Sequence, residues 1–349
     1  MIRYLIQNTV HRVVNVDKLT YAGNLDSLSD VEPSDRYRFE PIDIADFSAV
    51  EELFTQYEPD AVMHLAAESH VDRSIEEPSN FINTNIVGTF NLLQASKVHW
   101  DSLTGDRKAN FRFHHVSTDE VFGSLGDDDS LFSETSPYDP HSPYAASKAS
   151  ADHLVRAWSE TYGLPVLITN SSNNYGPYQF PEKLVPVVIL NAISGRNIPV
   201  YGNGKNVRDW LYVGDHVEAL YTVLETSQAG ETYNIGGNNE RTNIDLVQMV
   251  CRILDKAYPI AENANLKNSE SPGITKYENL ITFVKDRPGH DMRYGIDATK
   301  IRDELGWEPK RDINEGIEET VEWYLENRNW WERIRSGDYQ RPKQHLSQV

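Results

Sequence analysis

The chain has 349 residues, 39% hydrophobic and 25% charged, with a formal net charge of −20. That length builds one large α/β domain with a smaller lobe, or two modest domains, and the acidity speaks against non-specific binding to nucleic acid or to an anionic membrane. One cysteine, Cys251, excludes a disulfide framework and a cysteine-rich metal site. No run of about 18 apolar residues is present, and residues 1–20 lack the apolar stretch of a secretory signal. A cytoplasmic protein with no membrane span, no nucleic-acid partner and no metal is expected.

Ile2 to Gln7 reads as the tail of a helix and RVVNVD (12–17) as a short strand ending in an acid. A strand ending in Asp after a helix is the second half of a dinucleotide-binding βαβ unit. YRFEPIDI (37–44), DAVMHLAA (60–67), FRFHHVSTD (111–119) and PVLITNSSN (165–173) follow as strands. Several are apolar nearly throughout, as expected where helices cover both faces of a sheet. Between them 46–57, 79–99 and 143–162 are predicted helices. This alternation predicts an α/β fold with a doubly wound parallel sheet over residues 1–175, a Rossmann-type domain. After residue 176 Pro, Gly and Asn become frequent, strands shorten, and helices are predicted near 213–227, 243–257, 298–305 and 313–327. Residues 176–349 are read as a smaller α/β substrate lobe, with some segments returning to the first domain. The stretch 260–280 is the most loop-like.

An acid at the position of Asp17 accepts hydrogen bonds from adenosine ribose hydroxyls and repels a 2′-phosphate, which favours NAD over NADP. Many strands end in Asp, so alone the signal is weak. Asp43 ends the next strand and either reaches an adenine or caps the following helix. In HLAAES (64–69) small residues follow a strand, either to admit phosphates and ribose close to the backbone or for tight packing. No glycine precedes Asp17, and YGNGKN (201–206) and IGGNN (235–239) do not sit at a first strand-to-helix turn.

YAASK places Tyr144 and Lys148 four residues apart, on one face of a helix. A Tyr144 phenolate would take a proton from a substrate hydroxyl, and the Lys148 ammonium would stabilise it and lower its pKa. An exposed Tyr and a solvated Lys are the plainer reading of the pair alone. VSTDEVFG (116–123) puts Thr118 beside Asp119 and Glu120 at the carboxyl end of a strand, where open α/β sheets bind ligands. One acid serves as proton donor and the other as base if their surroundings separate their pKa values; otherwise they decorate a helix N-terminus.

The chain resembles an extended short-chain dehydrogenase/reductase and, more narrowly, the dTDP-glucose 4,6-dehydratase family. The resemblance rests on DKLTYAGN (17–24), HLAAESHVDRS (64–74), STDEVFG (117–123), SPYAASKASADHLVRAW (142–158), NSSNNYGPYQFPEKLVP (170–186), RDWLYVGDH (208–216), ETYNIGG (231–237) and DRPGHDMRY (286–294). These span nearly the whole chain in family order. Related epimerases carry small hydroxyl residues where this chain has Asp119 and Glu120.

The resemblance implies NAD as cofactor and dTDP-glucose as substrate. It implies that Tyr144 deprotonates the C4 hydroxyl as a hydride passes to NAD, with Thr118 bonding the C4 oxygen. Glu120 then removes the C5 proton, Asp119 protonates the leaving C6 hydroxyl, and the hydride returns to C6, giving dTDP-4-keto-6-deoxyglucose. It assigns Asp17, Lys18, Leu19, Thr20, Asp43, Ile44, Leu65, Ala66, Ala67, Ser69, Thr84 and Asn174, with Tyr144 and Lys148, to the NAD site. To the nucleotide-sugar it assigns Ser69, Thr118, Asn173, Lys183, Leu184, Pro199, Tyr201, Arg208, Asn234, Asp286 and His290. It implies deoxysugar biosynthesis, for example of rhamnose, and a homodimer built on helices 79–99 and 143–162. Leu92, Leu93, Leu154 and Trp158 face either that partner or their own sheet. Dehydratases of other nucleotide-sugars are the alternative. Phe122 stands where the family more often has Tyr.

The family begins with a strand and a glycine turn of the type T-G-G-A-G-F-I-G, and this chain starts inside the helix that follows them. Roughly 15 residues are missing by that pattern. The expectation is that Met1 is a misassigned start. A genuine deletion, the alternative, leaves an inactive remnant that folds poorly and loses NAD.

Overall fold

The computed structural model describes residues 1–126, 128–267 and 274–340. Its strands are β1 (Val13–Val16), β2 (Tyr37–Glu40), β3 (Ala61–His64), β4 (Arg112–Thr118), β5 (Val166–Ser171), β6 (Asn173–Tyr175), β7 (Ile198–Tyr201), β8 (Val207–Tyr212), β9 (Thr232–Ile235), β10 (Glu240–Thr242) and β11 (Ile281–Val284). Four of them make a parallel sheet in the order β3-β4-β5-β9, with Ala61 opposite Arg112 and Phe113 opposite Val166. β1 and β2 form a separate parallel pair, Val13 opposite Tyr37. Among the described residues no backbone ladder joins β1 to β3. Side chains do: Val16, Ile44, Val62 and Ala66 all belong to one apolar cluster with Val50, Phe54, Leu93, Phe111 and Phe113. Burial follows position in the sheets. Every residue of β5 is buried, and every residue of β1 is half-buried.

Helices appear at the predicted places as Phe47–Tyr57, Pro143–Tyr162, Val213–Thr226, Asn243–Ala257, Thr299–Leu305 and Ile313–Glu326. Pro143–Tyr162 carries its own start and stop signals. The Ser142 hydroxyl accepts from the Ala145 N–H at 3.0 Å, Pro143 opens the first turn, and Gly163 closes the helix at φ 71°.

The predicted 79–99 helix is instead three pieces: Pro78–Phe81, a π-helical turn Ile82–Gly88, and Thr89–Ser102. Two constraints hold the wide turn. Asn85 is buried, exchanging hydrogen bonds with the Glu68 backbone (2.9 and 3.0 Å) and donating to Ser147 at 2.8 Å. Gly88 crosses Ile44 so closely that an added Cβ would lie 2.6 Å from Ile44 Cδ1.

Besides three helices of six residues or fewer (Val71–Glu76, Gly105–Asn110 and Ala264–Lys267), Leu184–Ile193 and Arg328–Ser336 were not predicted. LVPVVILNAI is apolar on nearly every side, so it has no helical stripe to read. It lies in the core of the second half with Tyr175, Leu246, Val250, Ile317 and Val321. Arg328–Ser336 reaches back to the start of the chain. Arg333 Nε lies 2.7 Å from Asp26 Oδ2, and Trp330 Nε1 donates to Ser27 Oγ at 3.0 Å. Of the loop-like 260–280 stretch, residues 268–273 lie outside the described residues, and Tyr277 and Leu280 are buried anchors.

Leu92 and Leu93 turn to their own sheet, at 7% and 0% exposure, and Leu154 and Trp158 pack on the same cluster. Leu93→Ala is therefore expected to cost about 2–5 kcal/mol of stability, checked by denaturant unfolding. No described helix is long and apolar enough to cross a membrane.

Candidate active site

The chain turns sharply at the end of β4. Thr118 caps a 3₁₀ turn, Asp119–Phe122, its hydroxyl accepting the Glu120 N–H at 3.3 Å. Gly123 follows at φ 85°, where a Cβ would meet the Asp139 carbonyl oxygen at 2.4 Å. This turn leaves the two acids in different surroundings. Asp119 is 1% exposed, and its Oδ2 has no partner. Burial, then the charges of Glu120 and Asp209, push its carboxyl well above the usual range. Burial also raises Glu120, but Arg287, Arg208 and Lys183 act against that rise. Asp119 is thus the proton-holding acid and Glu120 the group more easily ionised.

Tyr144 and Lys148 stand on the helix that packs over β4, both buried. Lys148 Nζ donates to the Val116 carbonyl at 2.8 Å and lies 3.5 Å from His115 Nε2. Burial brings its pKa down to about 8. The expected lowering of the Tyr144 pKa is not found. Burial and then Glu120 raise it, opposed by a hydrogen bond with Thr118. Tyr144 rests as a phenol. Phe122 stacks on Phe132 with ring centroids 5.2 Å apart and meets Tyr138 edge-on, closing the site on its apolar side.

Three cations converge on Glu120. Burial lowers both Lys183 and Arg208, and Lys183 Nζ donates to the Ser69 carbonyl at 2.8 Å. Arg208 donates to the Asp291 carbonyl at 3.0 Å and lies 4.0 Å over the Tyr294 ring. Arg287 is the third, 3.7 Å from Asp72, with a buried Nε that has no partner. Asp72 also accepts from the Tyr201 hydroxyl at 3.0 Å. Sequence reasoning missed Arg287 and Asp72, although both sit inside quoted motifs, DRPGHDMRY and HLAAESHVDRS. Beside them His290 Nδ1 lies 2.6 Å from Asp286, and its ring meets Tyr201 edge-on at 6.2 Å. Such a cluster suits a diphosphate, which Arg can grip with two N–H groups.

The remaining expected residues fall in three places. Pro199 is exposed on β7, and Leu184 starts its helix half-buried. Asn173 and Asn234 each keep a buried side-chain oxygen without a partner, while Asn234 Nδ2 is committed to the Phe132 carbonyl at 2.9 Å. Asn174 bonds His216 at 2.8 Å.

The residues expected around a dinucleotide follow the carboxyl ends of β1, β2 and β3. Asp17 is exposed, its Oδ1 accepting the Leu19 N–H at 2.7 Å. Lys18 Nζ joins Asp43 (3.5 Å) and Thr84 (3.1 Å). Asp43 caps nothing in the next helix, whose cap is Asp46. Thr20 is half-buried beside them, and Ile44 is buried beneath Gly88. Leu65 keeps 44% of its surface exposed next to half-buried Ala66 and Ala67, and Leu19 keeps 36%. An exposed carboxylate for ribose hydroxyls and bare apolar surface for a flat base fit NAD.

Residues 1–320 match the GDP-mannose 4,6 dehydratase family. The dTDP-glucose 4,6-dehydratase of Neisseria meningitidis is 56% identical over 97% of this chain and 93% of its own length. The dTDP-glucose 4,6-dehydratase 1 of Escherichia coli is 56% identical with the same coverage. The chain belongs to the dTDP-glucose 4,6-dehydratase family. Among solved structures, the family's Streptomyces venezuelae enzyme, with NAD and TYD bound, is 41% identical with a TM-score of 0.83 over 95% of each chain. A UDP-glucose 4-epimerase from Thermotoga maritima is further off, 27% identical with a TM-score of 0.76 over 93% of this chain and 94% of its own. In this chain the Asp119–Glu120 pair gives two adjacent acids separated surroundings.

Proposed function

We propose that this chain converts dTDP-glucose to dTDP-4-keto-6-deoxyglucose as an NAD-dependent lyase of deoxysugar biosynthesis. The observation that carries this reading is the buried, proton-holding Asp119 next to Glu120, which faces three cations. NAD, when bound, would supply a hydride acceptor for sugar C4 and the hydride returned to C6. The protein's groups do the rest. Tyr144 receives the C4 hydroxyl proton, and Thr118 holds the C4 oxygen. The C4 ketone acidifies C5–H, Glu120 removes that proton, Asp119 protonates the C6 hydroxyl so that it leaves as water, and Glu120 gives its proton back to C5 once C6 has been reduced. Lys183, Arg208 and Arg287 hold the diphosphate; Tyr201, His290, Asn173 and Asn234 line the rest of the substrate cleft. Asp17, Lys18, Asp43, Thr84 and Leu65 hold the adenosine half of NAD.

The enzyme works in the cytoplasm as a homodimer. Val87, Phe90, Val98 and Tyr162 leave 39–61% of their surfaces exposed. Phe90, Trp158 and Tyr162 form a continuous aromatic row across two helices. Residues 1–175 carry the cofactor, and 176–349 supply most of the substrate lobe.

The test is incubation of the purified protein with dTDP-glucose, following the product by NMR. A C6 methyl group and a C4 ketone support the reading. No product from dTDP-glucose, with product from CDP-glucose or GDP-mannose, reassigns the substrate. Arg287→Ala is expected to weaken dTDP binding about 10- to 150-fold, the loss of a charged hydrogen bond of about 1.5–3 kcal/mol, measured by calorimetry.

A further inference from the structure

Behind Lys148 lies a buried polar cluster that the reaction above does not use. Asp152 is one turn beyond Lys148 and two beyond Tyr144, on the same helix face, and is 0% exposed. Its Oδ2 accepts hydrogen bonds from Ser117 at 2.8 Å and from the Tyr138 hydroxyl at 2.9 Å. Its Oδ1 lies 3.1 Å from His115 Nε2, and that same Nε2 lies 3.5 Å from Lys148 Nζ. The imidazole therefore stands between a carboxylate and an ammonium.

A buried carboxylate costs several kcal/mol unless a charge answers it. Burial brings His115 down to about 4, so the ring is neutral and does not answer it. Lys148 is the answering cation. Lys148 Nζ also donates to the Val116 carbonyl at 2.8 Å, so its ammonium is held between that carbonyl and the ring. The other groups around Lys148 are His64 and His115 from the sheet, Tyr144 on its own helix, and Asp119 and Glu120 beyond Tyr144. Arg156 and Tyr138 stand on the far side of Asp152. Of the carboxylates here, Asp119 and Glu120 change protonation during turnover; Asp152 is the fixed one.

We propose that Asp152 is the positioning residue of the Tyr144–Lys148 pair, its carboxylate acting through the His115 ring to keep the Lys148 ammonium aimed and charged. The inference rests on the dehydratase reading for its purpose and on the cluster's geometry for its substance. The sign follows from two opposed effects: burial lowers Lys148, and Asp152 raises it. Removing the carboxylate makes Lys148 lose its proton at lower pH.

The experiment is a pH titration of the full-length chain labelled with ¹³C at lysine Cε, with the Lys148 signal assigned through Lys148→Met. In Asp152→Asn the Lys148 midpoint is expected to fall by about one pH unit or more, a tenfold change in proton affinity. The alkaline limb of kcat/KM should fall with it. Asp152→Glu keeps the charge and is expected to keep the midpoint near the wild-type value. An unmoved midpoint in Asp152→Asn overturns the proposal, and so does an equal shift in Asp152→Glu. Should Asp152→Asn not fold, Ser117→Ala/Tyr138→Phe strips the carboxylate of two hydrogen bonds and leaves every charge in place. A smaller shift in the same direction is expected there, and none overturns the proposal. The lysine signal needs no turnover, so the shift in Asp152→Asn together with a wild type that makes no product defeats the dehydratase reading and leaves this one standing.

Discussion

Glu120→Gln is expected to lower kcat by about 10²–10⁴ while KM for dTDP-glucose changes little. The reason is the placement of Glu120. Among the described residues its side chain makes no hydrogen bond; its surroundings are Lys183, Arg208 and Arg287 on one side and the Tyr144 phenol on the other. Gln keeps the size and the hydrogen-bonding reach but cannot take a proton from carbon. Oxidation at C4 does not use Glu120, so sugar recovered from quenched enzyme should carry a 4-keto group that tritiated borohydride labels. A Glu120→Gln enzyme that forms the 6-deoxy product at the wild-type rate sinks the assigned role.

Tyr144→Phe is expected to lower kcat by a similar factor, about 10²–10⁴, but with the opposite trapping result. Without the phenol oxygen nothing takes the C4 hydroxyl proton, so borohydride finds no keto sugar. The ring itself stays in place. Phe keeps the buried aromatic body, and its edge-to-face contact with Phe81, at 6.4 Å, does not use the hydroxyl. Stability should therefore be nearly unchanged in a thermal melt. Keto sugar in quenched Tyr144→Phe enzyme would show that another base serves C4.

Strand runs such as FRFHHVSTD and helix runs such as 143–162 were legible because each carries its own local signal. Apolar β-branched runs mark a buried sheet, and Ser142, Pro143 and Gly163 mark the limits of one helix. The Tyr144–Lys148 spacing and the Asp119–Glu120 pair were legible for the same reason. What the sequence hid depends on distant partners. The π-helical turn exists because Asn85 answers the Glu68 backbone and Gly88 must clear Ile44. Arg287 becomes a site residue only because the fold brings it to Asp72 and Glu120. Leu184–Ile193 looked unremarkable because an evenly apolar helix has no stripe. The direction of the Tyr144 shift depended on its burial and on the nearness of Glu120.

The clasp between Arg328–Ser336 and the loop at Asp26 and Ser27 joins residues 307 and 303 positions apart. A ribosome makes that loop about 300 residues before its fastener. Throughout synthesis the segment from Asp17 to Asp30 waits without Trp330 and Arg333, while the four-stranded sheet can already close around β5. Contacts so distant along the chain form late and slowly, and half-finished surfaces of this kind are where aggregation starts. The loop that follows Asp17 is thus fastened only after the whole second half of the fold has been made, so the expected cofactor rim is finished long after the central sheet.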